Sequence, residues 1–103
     1  MTAIVDIHLT PIGTDGTSLS SYIAEAEKVL RQYPELEVQL NPMSTTIQGD
    51  LETLLQVVRA MHEAPFKAGA KRVSTTIRID DRRDKDSGDL QDRVESVQAK
   101  LTV

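Results

Sequence analysis

The 103-residue chain contains no cysteine and no tryptophan. The first absence removes disulfide frameworks, thiolate nucleophiles and most structural zinc sites, all of which rest on cysteine sulfur. Aromatic residues are scarce: Tyr22, Tyr33 and Phe66 make up the whole set, and none falls in a stretch that reads as a strand. Sheet-based RNA readers stack bases on aromatics of an open sheet face, so that function class is excluded. Positive charge is also in deficit, and a net charge of −4 provides no basic face for nucleic acid. No apolar run approaches the roughly 20 residues of a membrane-spanning helix, and no membrane partner is expected. The start "MTAIVDIHL" has no basic region ahead of an apolar core, so no signal peptide is expected and the expected location is cytoplasmic.

What is present is a soluble-type composition, 39% hydrophobic and 27% charged, at a length that makes one domain, 1–103, with a modest core. Short elements follow one another in a definite order. Ala3, Val5, Ile7 and Leu9 alternate with Asp6, His8 and Thr10 as in a half-buried strand, which Pro11 and Gly13 should stop. Ser18 is a fair N-cap for a helix carrying Leu19, Tyr22, Ile23, Ala26, Val29 and Leu30 at helical spacing, ended by Pro34. "LEVQLN" alternates again, with Leu36, Val38 and Leu40 on one side. A strand containing "STTI" precedes Gly49, and Asp50 caps a second helix with the stripe Leu51, Leu54, Leu55, Val58 and Met61. Pro65 should kink or end that helix, with Gly69 as a left-handed stop.

A second "STTI" lies in the longest strand, with Val73, Thr75, Ile77 and Ile79 inward and Ser74, Thr76, Arg78 and Asp80 outward. A charged stretch, "DDRRDKDSGD", then leads to an Asp89-capped helix with a narrow seam of Leu90, Val94, Val97 and Leu101. The spacing predicts an α+β fold, the ferredoxin-like β-α-β-β-α-β sandwich with an additional C-terminal helix.

In that plan two helices cover one sheet face. The other face would carry Asp6, His8, Glu37, Gln39, Asn41, Thr46, Gln48, Ser74, Thr76, Arg78 and Asp80, with Ile4 at its edge. Such a face can be solvated, a subunit interface or the floor of a ligand site. Its density of hydroxyls and amides, with few lysines, fits a lined surface. Enzymatic signatures are thin. His8 and His62 stand on separate elements without a second ligand at metal spacing. The serines near residue 20 have no "GxSxG" context, and the "GTDGTS" loop lacks the lysine and glycine spacing of a P-loop. "DKDSGDLQDRVE" puts Asp84, Asp86 and Glu95 at calcium-loop positions, but Gly88 and Asp89 stand in the wrong order, and a solvated, salt-bridged hairpin explains the stretch better.

Three stretches, "PIGTDGTSLSSYIAEA", "NPMSTTIQGD" and "GAKRVSTTIRIDDRRDK", occur in order over nearly the whole chain. Together they resemble the thiamine-binding family of small ferredoxin-like proteins. The resemblance implies homodimers or homotetramers, a small-molecule ligand that is thiamine or its hydroxymethylpyrimidine part, no catalytic activity and no cofactor. An aminopyrimidine offers ring-nitrogen acceptors and an amine donor, which hydroxyls and amides match, and a thiazolium cation favours a nearby carboxylate. On this basis Asp6, His8, Ser18, Ser20, Asn41, Ser44, Thr46, Ser74, Thr76 and Asp80 are the expected ligand-binding residues. The alternative is a structural protein whose polar sheet face is a subunit interface.

Overall fold

A computed structural model describes residues 2–14, 16, 19–85 and 88–101. The expected element order is present: β1 (Ala3–Pro11), α1 (Ser20–Val29) with a 3-10 turn at Leu30–Gln32, β2 (Glu37–Leu40), β3 (Thr45–Gly49), α2 (Leu51–Lys67), β4 (Val73–Asp80) and α3 (Leu90–Leu101). The strands form one antiparallel sheet in the order β2-β3-β1-β4. The two "STTI" strands therefore flank β1 and do not touch each other. Register places Val38, Ile47, Val5 and Ile79 in one row and Gln39, Thr46, Asp6 and Arg78 in the next. Because side chains alternate along a strand, the first row faces α1 and α2 and the second faces away.

The core forms where the helices cross the middle of the sheet. Val5, Ile7, Ile47, Leu54, Val57 and Met61 are almost fully buried, and Ala26 brings α1 close against α2. At Gly49 an added Cβ would meet the terminal methyl of Leu36, so a larger residue there requires the Leu36 side chain to move. Cover fails toward both sheet edges. Val38 and Leu40 on β2, and Ile77 and Ile79 on β4, point to the helix side as expected but remain exposed, because two helices are too narrow to span four strands.

Several boundaries differ from the sequence reading, each for a local reason. Pro11 belongs to β1 and pairs with Val73. The Ile12 N–H bonds the Arg72 carbonyl at 2.8 Å; alternation then turns the Pro11 nitrogen the other way, where β3 has already ended, so the missing donor costs nothing. The N-cap of α1 is Leu19, without a side-chain cap; Ser18 lies outside the described residues. Pro65 stands inside α2, which continues to Lys67. The helix is closed instead by Gly69 at φ +108°, with Gly69 N–H bonded to Phe66 O and Ala70 N–H to Pro65 O, a Schellman closure. Asp50 caps α2 as expected, accepting from Thr53 N–H at 3.3 Å.

The polar sheet face is not fully open. Gln48, expected there at the surface, is buried because the segment before α3 crosses it: its Nε2 donates to Gly88 O at 2.5 Å, and Leu90 N–H donates to Glu37 Oε1 at 3.0 Å. Asp89 and Asp92 cap α3 reciprocally, each side chain accepting the other's backbone N–H at 2.8 and 3.0 Å.

Candidate functional site

β3 pairs with β1 only as far as Ile7, whereas β4 follows β1 to Pro11. The sheet therefore has a notch beside His8–Pro11. The four-residue loop Asn41–Ser44, closed by Asn41 N–H on Ser44 O at 2.8 Å, forms one wall and the first turns of α1 form the other. The notch opens into a cleft of about 250 Å³ reaching down to Ile7, Thr45 and Met61. That is near the small end of ligand pockets, roughly 300–1,000 Å³, and suits one or two small rings.

The lining is mostly apolar: Leu9, Leu19, Ile23, Leu40, Met43 and Met61, with His8, Thr10, Asn41 and Ser44 at the rim. Among the described residues Glu27 is the one carboxylate in the lining, half-buried on the sheet-facing side of α1. It accepts a short hydrogen bond from Thr45 Oγ1, which fixes its direction. The strand geometry adds a second polar feature. His8 and Thr10 pair toward β4 in the alternation set at Ile12, so the Leu9 N–H and C=O are directed into the notch, where no strand stands opposite.

Beside the cleft, on the outer sheet face, a chain of hydrogen bonds ties the loop down. Asp6 Oδ1 accepts from Ser44 Oγ at 2.7 Å and from Thr46 Oγ1 at 3.1 Å; Asn41 Nδ2 donates to Thr46 Oγ1 at 2.9 Å, and Gln39 Nε2 to Asn41 Oδ1 at 3.1 Å. These groups bond one another, so the Thr46 donor is already used on Asp6.

Of the expected site residues, His8, Asn41 and Ser44 line the cleft, and Asp6 and Thr46 stand behind its loop wall. Ser20 begins α1 and faces an adjoining groove. Ser74 and Thr76 are exposed on β4, opposite Thr10 and His8 and one strand away from the notch. Asp80 is not brought to the site: it pairs with Ile4, four β1 residues or about 13 Å from His8, and bonds Arg93 at 3.1 Å. Ser18 lies outside the described residues. Glu27, Thr10, Thr45 and the methionines were not anticipated. Glu27 was visible in principle, since it follows Leu19 and Ile23 at four-residue spacing and so interrupts an apolar stripe with a charge.

The model of the thiamine-binding protein family matches residues 5–98. Among curated proteins, the chain is 50% identical to an uncharacterised protein encoded in the glkA 3′ region of Staphylococcus xylosus, over 96% of this chain and 94% of that one. It is 47% identical to YqgV of Bacillus subtilis, over 96% and 97% of the two chains. Among solved structures, hypothetical protein MJ1052 of Methanocaldococcus jannaschii superposes with a TM-score of 0.84 at 27% identity, covering 94% and 96% of the chains. A Thermotoga maritima protein proposed for thiamine biosynthesis or salvage shares the fold, with a TM-score of 0.78 at 21% identity over 94% and 99%.

Proposed function

The chain belongs to the thiamine-binding protein family, and from that membership and the chemistry of the cleft we propose that it binds thiamine, or its hydroxymethylpyrimidine part, without converting it. The observation that carries this reading is the oriented Glu27 carboxylate in a small apolar cleft. A lone carboxylate in apolar surroundings favours a cation or a strong donor over a neutral hydrocarbon. A thiazolium supplies the first and the pyrimidine amine the second. The Leu9 N–H and C=O offer one donor and one acceptor, the complement of an aminopyrimidine edge. With no aromatic in the lining, Met43 and Met61 supply polarizable contact for the rings.

Binding alone fits the remaining groups. His8 has Thr10 as its ring partner at 3.4 Å, and His62 is engaged with Thr75 at 2.6 Å. Among the described residues neither is paired with a carboxylate, the partner that orients the histidine of a catalytic triad.

Calorimetric titration with thiamine and with hydroxymethylpyrimidine tests the reading. Saturable binding of at least one is expected, and Glu27→Gln should weaken thiamine binding by about 1.5–3 kcal/mol, the worth of a hydrogen bond to a charged group. Absence of binding to both compounds overturns the proposal; unaltered affinity in the variant moves the ligand elsewhere.

A further inference from the structure

The cleft does not end at Glu27. Ile23, Glu27 and Leu40 also line a neighbouring groove that runs along α1 beside the edge strand β2, past Lys28 to Arg31. Glu27 thus stands on the ridge between an apolar cleft and a groove whose far end is basic.

The side-chain pairing on α1 departs from what its sequence would give. A glutamate four residues ahead of an arginine ordinarily forms an ion pair on the helix surface. Here Glu27 is turned onto Thr45, and Arg31 forms no ion pair among the described residues. Among the described residues Lys28 is held only by Glu25 at 2.8 Å, both side chains about half exposed; such a pair is worth little and re-partners readily. Two cations therefore flank the groove, one of them uncommitted, on a chain whose net charge is −4.

Resting on the cleft reading above, we propose that the groove is a phosphate subsite, and that the site takes a heteroaromatic cation carrying a phosphate ester arm in preference to the free alcohol. The cationic ring sits against Glu27 and the phosphate against Arg31 and Lys28. Arg31 stands in the 3-10 turn that continues α1, four residues beyond Glu27, which puts the two about 6–7 Å apart along the axis, the reach of a two-carbon ester arm. Arg31 has the planar fork that matches two phosphate oxygens, and Lys28 adds a point charge.

The test is titration of the whole protein with thiamine and with thiamine monophosphate at low salt, for the natural sequence and for Lys28→Gln/Arg31→Gln. The phosphate ester should bind about tenfold tighter than thiamine, the scale of one charge-assisted hydrogen bond. That preference should shrink in 0.5 M salt and vanish in the double variant, with thiamine affinity held. Equal or weaker binding of the ester by the natural protein overturns the subsite and leaves the cleft reading standing. A preference that survives the double variant overturns the assignment to Arg31 and Lys28. Failure of both ligands to bind overturns the cleft reading and the subsite with it.

Discussion

Thr46 and Glu27 show how a side chain's chemistry is set by its neighbours. Thr46 was expected to present its hydroxyl to a ligand, yet it donates to Asp6 and accepts from Asn41. Its effect on the cleft therefore runs through the loop that Asn41 begins. Thr46→Val keeps shape and strand propensity but leaves the Asn41 amide and Asp6 each short of a partner. A loss of about 1–3 kcal/mol in stability is expected, the cost of part-buried groups left unsatisfied, with thiamine affinity falling less than in Glu27→Gln. Urea unfolding and calorimetry of the two variants decide between this and direct contact, which would reverse the order. A second residue-scale expectation concerns acid. The Arg82 guanidinium beside Asp84, with contacts of 2.6 and 2.9 Å, holds that carboxyl down at about 2. Because the folded value is depressed, the pair is intact above the ordinary aspartate range near 4 and is lost as pH falls through about 2. In an NMR titration Asp84 should stay ionised at pH 3, and Arg82→Gln should raise its midpoint; an unshifted midpoint would show that the pair does not persist in solution. Both groups are well exposed, so little change in stability accompanies it.

Among the elements, those with a clean period were legible from sequence. β1 and β4 alternate over eight or more residues and emerge with the expected faces. The buried face of α2 is turned from the expected stripe, since Leu54 and Met61 are buried but Leu55 is exposed and Val57, outside that stripe, is fully buried. What was misread depended on distant partners. Pro65 resembles a breaker, but it lies two residues before the end of a helix whose closure is set by Gly69 and Ala70. Gln48 reads as a surface residue in an alternating strand until the segment before α3 is laid over it. The cleft was only partly legible for the same reason: it depends on β3 stopping short of β1, a feature of register. The polar residues read from the strands marked its rim at His8, Asn41 and Ser44, whereas its floor is mostly apolar. The closure of α2 can be tested directly. At φ +108° Gly69 adopts a backbone that L side chains rarely take, with open space around its Cβ position, so Gly69→Ala adds strain without a clash. It should cost about 1–2 kcal/mol, lowering the melting temperature by roughly 4–15 °C for a domain this size. A neutral result would mean that the turn relaxes into another closure.

At the scale of the whole molecule, large apolar side chains stay exposed along α3 and on the β4 edge. Along α3 the exposure of the seam climbs from 5% at Leu90 to 36% at Val94, 59% at Val97 and 76% at Leu101, as the helix leaves the domain whose longest dimension is 48 Å. Ile77 and Ile79 on the β4 edge form a second uncovered patch, with Leu55 of α2 also exposed. Contiguous apolar surface and an unpaired strand edge are both templates for association. We expect a homodimer or homotetramer, since a two-fold contact lets each patch meet its own copy. Light scattering at tens of micromolar should give a multiple of 11.4 kDa. Val97→Lys/Leu101→Lys and, separately, Ile79→Lys place charges in the two patches, and whichever reduces the mass identifies the contact in use. A monomeric mass for the natural protein would refute association through either surface. The cleft lies at the opposite end of β1 from α3, and Glu27, Leu9 and the Asn41–Ser44 loop all come from one chain. A dissociated variant should therefore retain thiamine affinity within about twofold, well below the factor of ten that 1.4 kcal/mol represents. Loss of affinity on dissociation would mean instead that the second copy helps to complete the site.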